Sequence, residues 1–295
     1  MPIVDWVERV TGIRRWTRGQ ERAPHKPLLL LYALGHFQRH GDEPIRYSAA
    51  EERLGHLLRE FGPPRPTTPA YPFHHLTSDG LWEVRTADGG GSPGARVGAL
   101  RDSAADGRLT PSLVRDLRRD PRLLSQLGRA LLDANFEPSL HEDICAEVGL
   151  DLESVETDRA VRRRDRDFRE RVMVAYEYQC AFCGFEGWLN GRAVGLDAAH
   201  VQWWAFGGPD DVANGICLCA LHHKLFDKGV LGVTADQRVA VSARYVGRGR
   251  SAEAQVLELS GREIGGPQPA FPRVADDRVA WHTREVFRSP ARSAA

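Results

Sequence analysis

Apolar residues recur along the first half of the chain mostly at helical spacing. Ile3, Trp6, Val7 and Val10 predict a short amphipathic helix over Pro2 to Val10. Leu28-Leu29-Leu30-Leu31-Tyr32-Ala33-Leu34 predicts a buried helix, with Pro27 in its first turn, where proline is tolerated. A third helix is expected over Ala49 to Phe61, stopping before Gly62-Pro63-Pro64. The period then changes. Tyr71-Pro72-Phe73-His74-His75-Leu76 and Leu81-Trp82-Glu83-Val84 flank Thr77-Ser78-Asp79-Gly80, a pattern that predicts a β-hairpin turning at Asp-Gly. Gly89-Gly90-Gly91-Ser92-Pro93-Gly94 is a surface loop; no Gly-Lys-Ser/Thr follows it, so it is not a phosphate loop. Ser112 to Leu117 and Arg122 to Phe136 have helical patterns, the second ending near Pro138.

Leu150 to Asp165 is a polar, charged join. It passes into Arg162-Arg163-Arg164-Asp165-Arg166-Asp167-Phe168-Arg169-Glu170-Arg171 and then Val172-Met173-Val174-Ala175-Tyr176, a helix basic on one side. Such a face is either simply solvated or a contact for phosphates. Val194 to Val201 and Ile216 to Leu218 have strand character, and a short helix follows them. Gly229 to Val233 and Arg238 to Val241 are two more strand-like runs, and a last helix lies near Trp281-His282-Thr283. The expected organisation is a domain over 1–151, a linker over 152–165, and a second domain over 166–295. The fold class is α+β: a mainly helical first domain with a small β-hairpin or sheet, joined to a small ββα domain.

Composition is that of an ordinary globular protein, and 295 residues suffice for two cores. Formal net charge is zero, so any nucleic-acid footprint must be a local patch. The cations are nearly all Arg, with Lys only at Lys26, Lys224 and Lys228. No apolar run reaches membrane-spanning length, and Met1 to Val10 lacks a signal-peptide core. Four of the five Cys cluster near His residues while Cys145 stands alone, which argues for metal ligation in a reducing, cytoplasmic setting rather than disulfides.

The chemistry concentrates between Cys180 and Asp227. Cys180-x-x-Cys183 and Cys219-x-x-His222 are two knuckle-like pairs; four protein ligands mean a structural zinc. Cys217 is an alternative ligand, but Cys219 alone pairs with His222 at knuckle spacing. Between these pairs, His200 ends a strand, Asn214 opens a second, and His223 sits on the helix that follows. That order brings all three to one point. An imidazole can take a proton from water near neutral pH, and a divalent ion can balance phosphate charge, so a metal-dependent nuclease core is implied. The stretches Ala199-His200-Val201, Asn214-Gly215-Ile216 and Leu218-Cys219-Ala220-Leu221-His222-His223-Lys224-Leu225-Phe226-Asp227 resemble the ββα-metal (HNH) endonucleases over roughly Arg166 to Val233. The resemblance implies that His200 is the general base. It also implies that Asn214 and His223 bind or orient a catalytic divalent ion such as Mg²⁺ or Mn²⁺. Many members have Asp or His directly before the base, where this chain has Ala199. Asp197, two residues earlier on the same strand, either reaches in as a replacement ligand or is a structural carboxylate.

A core of that size recognises little sequence alone, so the first domain should choose the target. His25-Lys26-Pro27-Leu28-Leu29-Leu30, Tyr71-Pro72-Phe73 and Asp79-Gly80-Leu81-Trp82, ahead of an HNH core, resemble the sulfur-binding-domain endonucleases that cut phosphorothioate-modified DNA. The resemblance covers most of Met1 to Glu147. It implies a type IV restriction-like endonuclease acting on double-stranded DNA. Sulfur is larger, softer and less hydrated than oxygen, so an apolar cup favours it. Tyr71 and Pro72 can build that cup, Lys26 can meet the remaining charge, and His25, His74 and His75 can contact nearby phosphates or base edges. His25-Lys26-Pro27 as a plain helix entry and Tyr71-Pro72-Phe73 as a plain edge-strand start are the alternatives. Phe73 and Trp82 suit the core. Some relatives carry a further domain for modified cytosine between the two parts; there is no room for it here. A double-strand break would call for two copies, so a homodimer is a plausible assembly. Two other functions fit the same residues: an HNH endonuclease reading another modification or sequence, and a non-catalytic DNA-binding regulator.

Overall fold

Leu28 to Leu31 are wholly buried, and the helix that carries them is the centre of the first half of the molecule. The structure is a computed structural model that describes residues 5–13, 23–152 and 161–293, without the side chains of 161–166. The chain divides into two compact units, Met1–Glu156 and Thr157–Ala295. Of the expected linker, 153–160 lie outside the described residues and 161–165 already belong to the first helix of the second unit. The side chains of Arg162, Arg163, Arg164 and Arg166, on which the expected basic face rests, also lie outside the described residues.

In the first unit, α1 (Trp6–Thr11) is capped by Asp5, whose side chain accepts from the Glu8 amide. α2 (His25–His40) packs against α3 (Tyr47–Phe61), which the short β1 (Ile45–Arg46) precedes. Pro27 lies in the first turn of α2, where no intrahelical donor is lost. Next come α4 (Ala70–His75), a 3-10 turn over Leu76–Asp79, and β2 (Trp82–Arg85). The expected hairpin is therefore wrong: Tyr71 to Leu76 is helical. Ala70, Phe73 and Leu76 are buried at helical spacing, and the Trp82 indole N–H donates to the Phe73 carbonyl at 3.1 Å. Gly80, left-handed at φ 69°, ends the 3-10 turn rather than a hairpin.

β2 pairs instead with β3 (Asp106–Leu109), which follows α5 (Val97–Asp102). The antiparallel sheet has the order β1-β3-β2, with Val84 and Ile45 both opposite Gly107. A Cβ at Gly107 would lie 2.1 Å from the Trp82 ring, so glycine is what lets Trp82 lie across β3. α6 (Pro111–Arg119), α7 (Pro121–Asp133) and α8 (Pro138–Val148) each begin on proline, whose missing N–H costs nothing there. Pro138, expected as a stop, is also a start.

In the second unit, α9 (Val161–Ala175) buries Phe168, Val172 and Met173. A two-residue hairpin joins β4 (Trp188–Leu189) to β5 (Arg192–Ala193) through Asn190 and Gly191, both at positive φ. β6 (Leu196–His200) and β7 (Gly215–Cys219) pair antiparallel, from Leu196 opposite Cys219 to His200 opposite Gly215. α10 (Ala220–Asp227) follows β7 directly, completing the ββα order, and α9 packs on both strands. β8 (Leu231–Val233) and β9 (Val239–Val241), α11 (Arg250–Gln255) and α12 (Asp276–Glu285) complete the unit. The fold is thus a mixture of helices and small sheets, as the sequence implies. Among the described residues no helix is long and apolar enough to cross a membrane.

Gly107→Ala should cost about 1–3 kcal/mol through overpacking against Trp82. It would be read as a lower denaturant midpoint with an unchanged slope.

Candidate functional site

His200 is the last residue of β6. Its Nε2 lies 2.9 Å from Asp210 Oδ1, and its ring stacks on Phe168 at 4.0 Å and 9°. Only 12% of its side chain is exposed. Opposite it, Gly215 has no room for a Cβ, which would meet Val172 at 2.4 Å. The segment from Gln202 to Pro209 is tied by Asn214. The Asn214 Oδ1 accepts from the Gln202 amide at 2.8 Å, and its Nδ2 donates to the Gln202 and Pro209 carbonyls at 2.9 and 3.0 Å. Asn214 is fully buried. Both ends of the Asn214 amide thus hold the loop, which matches the orienting half of what the resemblance implies for this residue.

His223 lies on α10 between two carboxylates. Its Nε2 is 3.2 Å from Asp227 Oδ2, one helical turn on and buried. Its Nδ1 faces Asp197 Oδ2 at 3.9 Å. The other Asp197 oxygen accepts from Arg169 Nε and from the Ala198 amide, both at 2.9 Å. Ala199 is completely buried. Asp197 and His223 therefore come together, with an acidic and an imidazole donor on either side of a 3.9 Å gap.

A second cluster lies at the end of the strand pair away from His200. The donor atoms of Cys180, Cys183, Cys219 and His222 all lie within 4.8 Å of one another; among the described residues no other three such donors do. Cys219 caps α10, so His222 lies within its first turn. The His222 Nε2 lies 2.7 Å from the Gln255 carbonyl and must donate to it, which directs Nδ1 at the Cys180 and Cys219 sulfurs at 3.4 and 3.2 Å. Burial alone would lower the His222 pKa, but hydrogen bonds to the Cys180 and Cys219 sulfurs and to the Gln255 carbonyl outweigh it and raise it to about 10 in the metal-free protein. Hydrogen bonds from the Cys180 and Cys183 thiols hold Cys219 well below the usual thiol range. Three sulfurs and an oriented imidazole could hold zinc. Cys217 does not join them: it is buried with its Sγ 3.5 Å from Met173 Sδ, and burial pushes its thiol up to about 12.

In the first unit a third constellation forms around α2 and α4. The Tyr71 and His75 rings, one turn apart on α4, lie 4.3 Å apart, with His74 4.7 Å from His75. His25 reaches Thr67 Oγ1 at 2.9 Å and sits edge-on to Tyr71. His74 Nδ1 is 2.7 Å from Ser92 Oγ, which ties the glycine-rich loop to this face. Burial, then the neighbouring His74 and Lys26, lower the His75 pKa, so its ring is neutral at pH 7. Lys26 is buried and paired with Asp79 at 2.6 Å, so its charge is committed inside the protein. Pro72 is buried too, beside Tyr71 on α4.

The model of the ScoMcrA-like DNA sulfur-binding domain matches residues 4–153, half of the chain. The chain belongs to that family. The model of an HNH endonuclease domain matches residues 180–234, which hold both clusters of the second unit. Among solved structures, the sulfur-binding domain of ScoMcrA complexed with phosphorothioated DNA is 23% identical. That match covers 50% of this chain and 97% of the other, at a TM-score of 0.42. The sulfur-binding domain of SprMcrA, also complexed with phosphorothioated DNA, is 25% identical over 50% and 93%, at 0.41. The type IV phosphorothioation-dependent restriction endonuclease ScoMcrA is 21% identical over 53% and 36%, at 0.40. No curated protein matches the chain.

Sequence reasoning missed Asp210, Asp227, Gln255, Thr67 and Ser92 as partners of the site residues. Of these only Asp227 had a visible signal, its i,i+4 spacing from His223. Lys26→Met should cost about 3 kcal/mol on denaturant unfolding, because it strands a buried carboxylate. Equal stability to wild type would instead free Lys26 for a surface role.

Proposed function

We propose that this protein is a modification-dependent DNA endonuclease. Its first unit binds phosphorothioate DNA through the face of Tyr71, His25, His74 and His75, and its second hydrolyses phosphodiester bonds. What supports the reading is that Asp197 faces His223 in a ββα unit whose first strand ends at His200, in a chain whose other half belongs to a DNA sulfur-binding family.

At the reading face, Tyr71 and a neutral His75 form a weakly hydrating aromatic wall. Such a wall penalises oxygen, which loses water hydrogen bonds there, more than sulfur. At the nuclease centre, His200 takes a proton from the attacking water. The water oxygen bonds to phosphorus, the bond to the leaving sugar oxygen breaks, and that oxygen takes a proton from solvent. Asp197 and His223 would hold a divalent ion such as Mg²⁺ or Mn²⁺. Two protein donors suit an ion that completes its shell with phosphate and water. When bound, that ion supplies positive charge to the phosphate and the leaving oxygen. Asp227 holds His223 Nε2 and so keeps Nδ1 directed at Asp197; Arg169 holds Asp197 in place. Asn214 keeps the intervening loop closed. Cys180, Cys183, Cys219 and His222 hold a structural zinc. A double-strand cut requires two such centres, which a homodimer would supply.

Purified protein should carry one zinc per chain by elemental analysis, and Cys183→Ser should lose it. Strong chelation should lower the melting temperature in a way that Mg²⁺ does not reverse. Phosphorothioate and unmodified plasmids, incubated with Mn²⁺ or Mg²⁺, test the function. Cleavage of the modified plasmid alone is expected, with Asp197→Ala reducing it at least 10²-fold if metal binding is lost. Equal cleavage of both plasmids would reject the sulfur reader, and binding without cutting would reject the nuclease.

A further inference from the structure

A general base needs more than a histidine. Its imidazole must present a lone pair to the water, and a neutral imidazole carries its proton on either nitrogen. The partner of the other nitrogen decides which. We propose that Asp210 is the positioning residue of the nuclease: its carboxylate accepts the Nε2–H of His200 and so fixes the tautomer in which Nδ1 takes the proton from water. This rests on the nuclease reading given above.

Three observations carry it. An ionised carboxylate only accepts hydrogen bonds, so the nitrogen 2.9 Å from Asp210 Oδ1 must bear the proton. The parallel stack on Phe168 clamps the ring and opposes its turning over. The Asp210 backbone is itself braced, because Arg171 Nη2 donates to its carbonyl at 2.6 Å and Asn214 holds the preceding Pro209 carbonyl. Asn214 therefore serves His200 indirectly, by fixing the loop that carries Asp210. Arg169 pairs with Asp197, and His223 lies between Asp197 and Asp227. After proton transfer the Asp210 charge lies beside the imidazolium. It does for His200 what Asp227 does for His223.

The test uses the full chain on phosphorothioate DNA with Mn²⁺, comparing wild type, His200→Ala, Asp210→Ala and Asp210→Asn. Long-range ¹H–¹⁵N spectra of histidine-labelled protein report the His200 tautomer. Wild type should show His200 protonated on Nε2. Asp210→Ala should lower kcat about 10²-fold with KM for DNA unchanged, and shift His200 to a mixture of tautomers. Asp210→Asn, whose amide oxygen can still accept, should recover part of both. Wild-type kcat in Asp210→Ala, or an unaltered His200 tautomer, would overturn the proposal. So would a loss reversed by raising Mn²⁺, which would make Asp210 a metal ligand. If Asp210→Ala does not fold, Asp210→Asn and the wild-type tautomer decide the matter. Undiminished cutting by His200→Ala would instead sink the nuclease reading, while the spectra would still judge the Asp210 hydrogen bond.

Discussion

Everything in the second unit depends on the register of β6 against β7. Leu196 faces Cys219 at one end and His200 faces Gly215 at the other. A slip of one residue would turn every side chain on β6 to the opposite face. Asp197 would leave His223, and His200 would lose both Phe168 and Asp210. The register is held by unlike devices at the two ends. At one end Cys219 joins Cys180, Cys183 and His222. At the other Gly215 admits the close approach of Val172, and the buried amide of Asn214 closes the loop.

Two adjacent histidines illustrate how the same geometry divides labour. Successive residues on a helix point about 100° apart. His222 turns inward to the sulfurs, with Gln255 behind it. His223 turns to Asp197, with Asp227 behind it. In both cases one ring nitrogen is occupied by an oxygen acceptor, and the other is thereby given its direction. His200 and Asp210 repeat the arrangement.

The spacing of Cys180, Cys183, Cys219 and His222, and the order strand, strand, helix, were legible because both are local properties of the chain. What was hidden depends on where loops travel. Asp210 meets His200 only because the loop between β6 and β7 folds back. Asn214 has the composition of a ligand, yet its surroundings consume its amide. Lys26 looked like a surface cation; its partner Asp79 lies 53 residues away. Asp79-Gly80 misled for a different reason. A left-handed glycine ends a 3-10 turn as readily as it turns a hairpin, and the buried face of α4 was the deciding cue. Pro138 can close one helix or open the next, and only packing distinguishes the two.

The carbonyl behind His222 belongs to Gln255, far downstream of the last motif residue. Cys180, Cys183, Cys219, His200 and His223 therefore all precede, in the chain, the group that orients His222. A nascent chain released short of Gln255 would contain every recognisable nuclease residue without that brace. The direction of the His222 ring is thus a long-range property of the chain, set 33 residues beyond the motif that contains it.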